Sequence, residues 1–129
     1  MNSHNSLKMH YEYTTYISDS PIGLQYYTVH LRSVKCIYDK LHNIYGPTVT
    51  LYYPSYTISH IEYWINDKRH NEHKPAIISY HPNGTISQTT YYINNQLHNE
   101  RGPAVIDYHP NGRATHIEYW NNNKIVYNL

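Results

Sequence analysis

The sequence predicts an all-β protein, an elongated antiparallel meander of successive β-hairpins built from 28-residue repeats. Three observations carry this. His42, His70 and His98 are evenly spaced by one such period, as are Pro47, Pro75 and Pro103, and Tyr52, Tyr80 and Tyr108, while HIEYW recurs unchanged at 60–64 and 116–120. A fixed period in this range is the signature of a repeat architecture. Each period holds two short runs rich in β-branched and aromatic residues between turn signals, and no segment carries a helical period of adequate length. Finally, the 129 residues include 17 Tyr and no Phe. Tyrosine buries its ring while its hydroxyl keeps a polar partner, which suits a thin sheet better than a thick aliphatic core.

Taken in order, residues 1–20 form an aperiodic N-terminal segment in which Tyr11–Ile17 is a strand rich in Tyr and Thr, ended by Asp19-Ser20-Pro21. The repeat domain spans 21–129: a degenerate unit at 21–40, full units at 41–68, 69–96 and 97–124, and a terminal strand at 125–129. In the degenerate unit Tyr26-Tyr27 resembles Tyr52-Tyr53, and Asp39-Lys40 matches Asp67-Lys68. A worn end unit is expected where a stack is covered on one side only. Each full unit has a first strand at Thr48–Tyr53, Ile77–His81 or Ala104–His109. A turn follows, His-Pro-Asn-Gly at 81–84 and 109–112, where Pro presets φ and Gly accepts the positive φ that closes a hairpin. The corresponding Pro54-Ser55-Tyr56-Thr57 lacks the glycine and predicts a looser turn. Second strands run Ile58–Trp64, Ile86–Tyr92 and Ala114–Trp120. Asn66-Asp67, Asn94-Asn95 and Asn121–Asn123 then make tight turns, because Asn tolerates left-handed backbone.

Net charge is +1, so nothing marks a nucleic-acid or acidic-ligand protein. Cys36 is the only cysteine; it allows no intramolecular disulfide and reads as a small buried apolar residue. MNSHNSLKMH has no apolar core and does not resemble a secretory signal. No apolar run reaches the roughly 18 residues of a membrane helix. An intracellular, cytoplasmic location is the expectation.

The 11 histidines invite a metal site, but stacking argues against one. If each unit adds two strands, equivalent residues sit about 10 Å apart, twice the strand spacing, whereas zinc holds its nitrogens at about 2.0–2.1 Å. His42, His70 and His98 therefore read as loop residues bonded to local backbone, with Asn43, Asn71 and Asn99 doing the same, and neither a metal nor a cofactor is expected. Glu62 and Glu118 are about 20 Å apart on the same stacking, beyond the roughly 9.5 Å of the widest acid/base carboxylate pair. No phosphate loop or nucleophile elbow is present. A non-enzymatic protein is expected.

The functional candidate is a face. On the second strands Ile61/Thr89/Ile117 and Tyr63/Tyr91/Tyr119 form the expected core set. The alternate set is mixed polar, ending on a large aromatic: His60, Glu62 and Trp64; Gln88, Thr90 and Tyr92; His116, Glu118 and Trp120. Trp and Tyr dominate interface hot spots, so His60, Glu62, Trp64, Gln88, Tyr92, His116, Glu118 and Trp120 are the candidate partner-binding strip. The bland alternative is that Trp64, Tyr92 and Trp120 simply pack on the next loop.

Together, Tyr80-His81-Pro82-Asn83-Gly84, the aromatic strand and Asn turn after it, and Leu97-His98-Asn99-Glu100-Arg101-Gly102-Pro103-Ala104 resemble MORN-like repeats. The closest form is the longer variant common in large DNA viruses of protists. The resemblance covers about 41–124 well and 21–40 poorly. It implies an elongated twisted antiparallel sheet used for protein–protein contact or self-assembly, without catalysis. The shorter standard repeat carries more glycines and a Gly-containing second turn, so its lipid binding is not carried over. The expected function is a protein–protein interaction module that self-assembles into a homodimer. The alternatives are a structural component of a larger viral assembly, or a lipid- or single-stranded nucleic-acid-binding module; single strands stack on aromatics but also want a basic groove, where Glu62 and Glu118 stand.

After the last Asn turn, Lys124-Ile125-Val126-Tyr127-Asn128-Leu129 continues in β-favouring residues without proline. Such an edge offers unpaired N–H and C=O groups. The expectation is that Ile125, Val126, Tyr127 and Leu129 are either covered by the N-terminal segment or paired with their twin across a two-fold axis, the latter being favoured.

Overall fold

The computed structural model describes residues 8–19, 25–37 and 40–126, with side chains from 40 to 126. All regular structure in it is β, and no helix long and apolar enough to cross a membrane occurs among the described residues. One sheet of ten strands holds β1 (Lys8–Asp19), β2 (Gln25–Ile37), β4 (Val49–Tyr52), β5 (Ile58–Glu62), β8 (Ile77–Tyr80), β9 (Ile86–Thr90), β12 (Val105–Tyr108), β13 (Ala114–Asn121) and β14 (Lys124–Val126) in chain order, with β3 (Lys40–Leu41) paired to the end of β2. All the pairings are antiparallel. Two two-stranded ladders stand beside it: β6 (Trp64–Ile65) with β7 (Lys68–Arg69), and β10 (Tyr92–Ile93) with β11 (Gln96–Leu97).

The expected first strands are present, one residue shorter at one or both ends. The second strands differ from expectation in two of three cases, because β5 and β9 stop before Tyr63 and Tyr91. There the backbone serves two segments at once. The Tyr63 N–H donates to the Ala76 carbonyl at 2.8 Å, while the Tyr63 carbonyl accepts from His70 N–H at 3.1 Å; Tyr91 does the same with Ala104 and His98. The strand thus changes partner in mid-course. Tyr119 pairs with Val126 in a single ladder, so β13 runs unbroken.

The turns explain the hairpins. Asn66-Asp67, Asn94-Asn95 and Asn122-Asn123 all have positive φ at both positions, between 46° and 69°, the backbone that a two-residue hairpin of primed type requires. Gly84 and Gly112 hold φ of 89° and 91°. The turn at Pro54–Thr57 is not looser, which corrects the sequence expectation: Tyr56 itself adopts φ 67°. Tyr53 N–H bonds the Thr57 carbonyl and Tyr56 N–H the Tyr53 carbonyl, both at 2.8 Å, matching His81–Thr85 and His109–Arg113. The strands on either side fix the loop, and the tyrosine accepts the strain.

Residues opposed in register share a face. Val49, Glu62, Ile77, Thr90, Val105 and Glu118 lie on one; Thr50, Ile61, Ile78, Thr89, Ile106 and Ile117 lie on the other. The core is thin. Thr48, Ala76 and Ala104, equivalent positions of the three units, are fully buried where each first strand begins. Ile61 and Thr89 are buried as expected, but Ile117, expected in the same core set, is 48 % exposed, because no further strand flanks it among the described residues. Val49 and Thr90 are buried on the opposite face, so neither face is purely core.

Among the described residues the N-terminal segment does not cover β14: Lys8–Asp19 is the edge strand at the opposite end of the sheet. Tyr26-Tyr27 sits opposite Ile17-Ser18 within the β1–β2 hairpin, not at the end of a first strand. Arg32, Ser33 and Val34 pair with β4 as His60, Ile61 and Glu62 pair with β8. The Cys36 side chain and Asp39, Tyr127 and Leu129 lie outside the described residues.

Replacing Tyr56, which is 76 % exposed, by Gly is expected to raise unfolding free energy by about 0.5–1 kcal/mol, since relief of left-handed strain outweighs the added chain entropy. Gly84→Val and Gly112→Val are each expected to lose about 1–2 kcal/mol, although no atom lies within 4 Å of a Cβ added at either site. Denaturant titration of the three variants checks the sign at each turn.

Candidate functional site

The alternating strand geometry brings each set of candidate residues into one row. In the first, His60 Nε2 and Glu62 Oε1 are 2.8 Å apart, and Trp64 Nε1 donates to Glu62 Oε2 at 2.6 Å. His60 Nδ1 meets Ser79 Oγ on the neighbouring strand at 2.8 Å. The third row repeats this, with His116 Nε2 and Glu118 Oε1 2.8 Å apart and Trp120 Nε1 donating to Glu118 Oε2 at 2.7 Å. A carboxylate held by an imidazole on one oxygen and an indole on the other has little rotational freedom. Each of these two rows is therefore a fixed polar surface ending in a large ring.

The middle row lacks this chain. Thr90 is buried, and Gln88 turns its amide to Asp107 Oδ1 at 2.7 Å instead. Its ring is tied differently. The Arg69 guanidinium carbon lies 4.9 Å from the Trp64 ring centre and 5.4 Å from that of Tyr92, within range of a cation–π contact with both. Leu41 and Leu97 stand where Arg69 does, one repeat to either side. Among the described residues, Arg69 Nε is buried without a hydrogen-bond partner. Rows one and two are thus joined by a stacked arginine, while the third row is the most open: the His116 side chain is 55 % exposed against 23 % for His60.

Electrostatics follow the contacts. The hydrogen bond from His60 holds the Glu62 carboxyl below its ordinary value of 4.5; burial opposes this, and the Trp64 bond and the charges of His60 and Arg69 reinforce it. The bonds from His116 and Trp120 lower Glu118 in the same way. His116 is raised above 6.5 by its bond to Glu118, with the charges of Glu118 and Asp107 adding to it. Tyr63, on the opposite face, is raised by burial and by Tyr80.

His42, His70 and His98 stand apart from the rows, and their bonds are not local. Their Nδ1 atoms accept the backbone N–H of Asn66, Asn94 and Asn122, in the turn that closes the same repeat, at 3.1, 3.1 and 3.0 Å. Asn43, Asn71 and Asn99 do bond locally, donating to the carbonyls of Pro47, Pro75 and Pro103. Among the described residues no three His, Cys, Asp or Glu side chains converge on a common point.

Sequence reasoning missed two open clefts between successive His-Asn loops. One is lined by Tyr63 and Ile65 and the other, of about 350 Å³, by Tyr91 and Ile93. The signal was present in the even spacing of these pairs, but which side the loops fold to is a tertiary matter. Of the terminal candidates, Ile125 pairs with Trp120 and Val126 with Tyr119, and both are more than two-fifths exposed.

Comparison with protein-family models, with curated proteins and with solved structures finds no match.

The His116–Glu118 pair fixes a pH window. A carboxyl lowered in the fold stabilises it above 4.5, and that contribution is lost as pH falls through the folded value. A histidine raised in the fold stabilises it below 6.5, and that contribution is lost as pH rises through the folded value. The pair therefore contributes fully between pH 4.5 and 6.5. In an NMR titration His116 is expected to titrate above 6.5, and Glu118→Gln to bring it back down. An unchanged midpoint in that variant would mean the contact is not held in solution.

Proposed function

We propose that this chain is a non-enzymatic MORN-like repeat module that binds another protein through the rows His60–Glu62–Trp64, Gln88–Tyr92 and His116–Glu118–Trp120. The observation that carries this reading is the two-sided fixing of Glu62 and Glu118 by a histidine and an indole. Pre-organised polar groups beside large rings lose little entropy on docking, which is what makes such positions hot spots. The hydrogen bonds that recur once per unit support the repeat reading, and the Leu-His-x-x-x-Gly-Pro-Ala and Tyr-x-x-Asn-Gly runs support the family.

A second reading is self-association along β14, supported by the exposure of Ile125 and Val126, 44 % and 46 %, on a strand at the sheet edge. Light scattering separates it: a dimer that becomes monomeric in Ile125→Pro, which removes the β14 N–H facing away from β13, supports self-association, and a wild type monomeric at high concentration excludes it.

For the rows, the expected result is that Trp120→Ala and His116→Ala lose a partner recovered by the wild type in quantitative affinity capture while melting within a few degrees of it. Trp120 is half-buried and stands opposite the exposed Ile125, so its removal is expected to cost less than the about 3–5 kcal/mol of a core Trp. Full capture by both variants would place the contact elsewhere.

A further inference from the structure

Among the described residues, Ala114–Glu118 of β13 has a strand on one side only, β12, whereas β5 and β9 each lie between two. Ile117 is 48 % exposed, while its register equivalents Ile61 and Thr89 are 7 % exposed. The Glu118 carbonyl accepts Ala104 N–H at 2.8 Å, so Glu118 faces β12. Directions alternate along an antiparallel strand, so Ile117 presents its N–H and C=O groups to the open side; the alternation breaks at the bulge that sets Thr115 between the Asp107–His116 and Tyr108–Ala114 pairs. This edge, Ala-Thr-His-Ile-Glu, contains no proline and one acidic residue, so little blunts it.

The two filled positions show what fits. β8 lies against β5 and β12 against β9, in one register. Opposite Glu62 and Thr90 stand Ile77 and Val105; opposite Ile61 and Thr89 stand Ile78 and Ile106. Opposite His60 and Gln88 stand Ser79 and Asp107, each bonded side chain to side chain, at 2.8 and 2.7 Å. Each occupant enters through a proline and a fully buried alanine. At β13 the row is His116, Ile117, Glu118, with His116 committing Nε2 to Glu118 as His60 does to Glu62; in His60 it is Nδ1 that meets the serine.

The geometry points to a strand-addition site on β13 for an extended segment of another polypeptide. That segment lies antiparallel, follows Pro-Ala, and carries two β-branched residues and then Ser or Asp opposite His116. Main-chain bonds to Ile117 supply affinity and the side-chain row supplies register. A second copy of β13 does not fit. Centred on Ile117, a twin would set its Thr115 beside Tyr119, where Val126 already pairs. Centred on His116, it would oppose two histidines. The site concerns the backbone edge and stands independently of docking on the rows.

The test uses the full chain and a labelled peptide of sequence GPAVIDYH, the occupant of the last filled position. Saturable binding by anisotropy is expected, with amide shifts centred on Thr115–Glu118, and a shuffled peptide is expected to bind at least about tenfold more weakly, the worth of one or two hydrogen bonds. Ile117→Pro removes an N–H that faces away from β12, so the fold is retained and binding is lost. Should that variant misfold, N-methylation of the peptide's isoleucine, which faces Ile117, removes a bond of the same ladder from the ligand side and is expected to abolish binding to the wild type. Absence of binding at millimolar peptide, or binding that survives both the proline and the N-methyl group, overturns the proposal. Loss of Trp120 leaves this binding in place while removing docking on the rows, so the two readings fail separately.

Discussion

The structure depends on one recurring clasp between a tight turn and the residues that follow the previous turn. Asp67 N–H donates to the Leu41 carbonyl at 2.9 Å and Asp67 Oδ1 accepts Leu41 N–H at 2.8 Å; Asn95 with Arg69 and Asn123 with Leu97 form the same reciprocal pair. His42, His70 and His98 add a third bond to the neighbouring turn residue. The clasp needs left-handed backbone at two consecutive positions and an oxygen-bearing side chain at the second. Asn-Asp and Asn-Asn satisfy both requirements. It also needs an unprotonated imidazole nitrogen, which fixes the histidine tautomer. Its partners lie 26 and 24 residues apart in the sequence, so it ties together segments almost a full repeat apart.

A second column at the other hairpin ends has looser chemistry. The Tyr53 hydroxyl donates to the Tyr80 carbonyl, and His81 Nε2 reaches the Tyr108 carbonyl at 2.8 Å. Asn83 and Thr85 both reach the Pro110 carbonyl. Between the two columns the strands are short, and the buried side chains are small. Tyrosine serves such a sheet because its ring covers the neighbouring strand while its hydroxyl reaches a backbone group at the sheet end. Fixing both ends leaves the rows of the face presented at constant spacing, and this links the clasp to the proposed binding surface.

Much of this was legible in the sequence, and the limits have physical causes. The spacing of His, Pro and Tyr located every first strand of the full units, and Gly84 and Gly112 announced their own φ. Alternation placed His60, Glu62 and Trp64 on one face, because period two is fixed by covalent geometry. The partners of His42, His70 and His98 were not legible, because sequence shows that a side chain can bond but not across which gap. Nor was the behaviour of Tyr56: local propensity argued for a looser turn, and the paired strands overrode it. The interruption at Tyr63 and Tyr91 and the exposure of Ile117 both depend on which neighbour lies alongside, a tertiary property. The Tyr11–Ile17 strand was legible and lies within β1, but its pairing into a long hairpin with β2 was not, because residues 1–40 carry the period in degenerate form or not at all.

The clasp ties the turns of successive hairpins together, alongside the β5–β8 and β9–β12 ladders that set strand register. Native-state hydrogen exchange on His70→Ala tests this most directly. The Asn94 and Asn95 amides are expected to lose protection while Asn66 and Asn122 keep theirs, and global stability is expected to fall by about 1 kcal/mol, the net worth of one hydrogen bond. Unchanged protection at Asn94 and Asn95 in a fully folded variant would contradict the role given to the clasp.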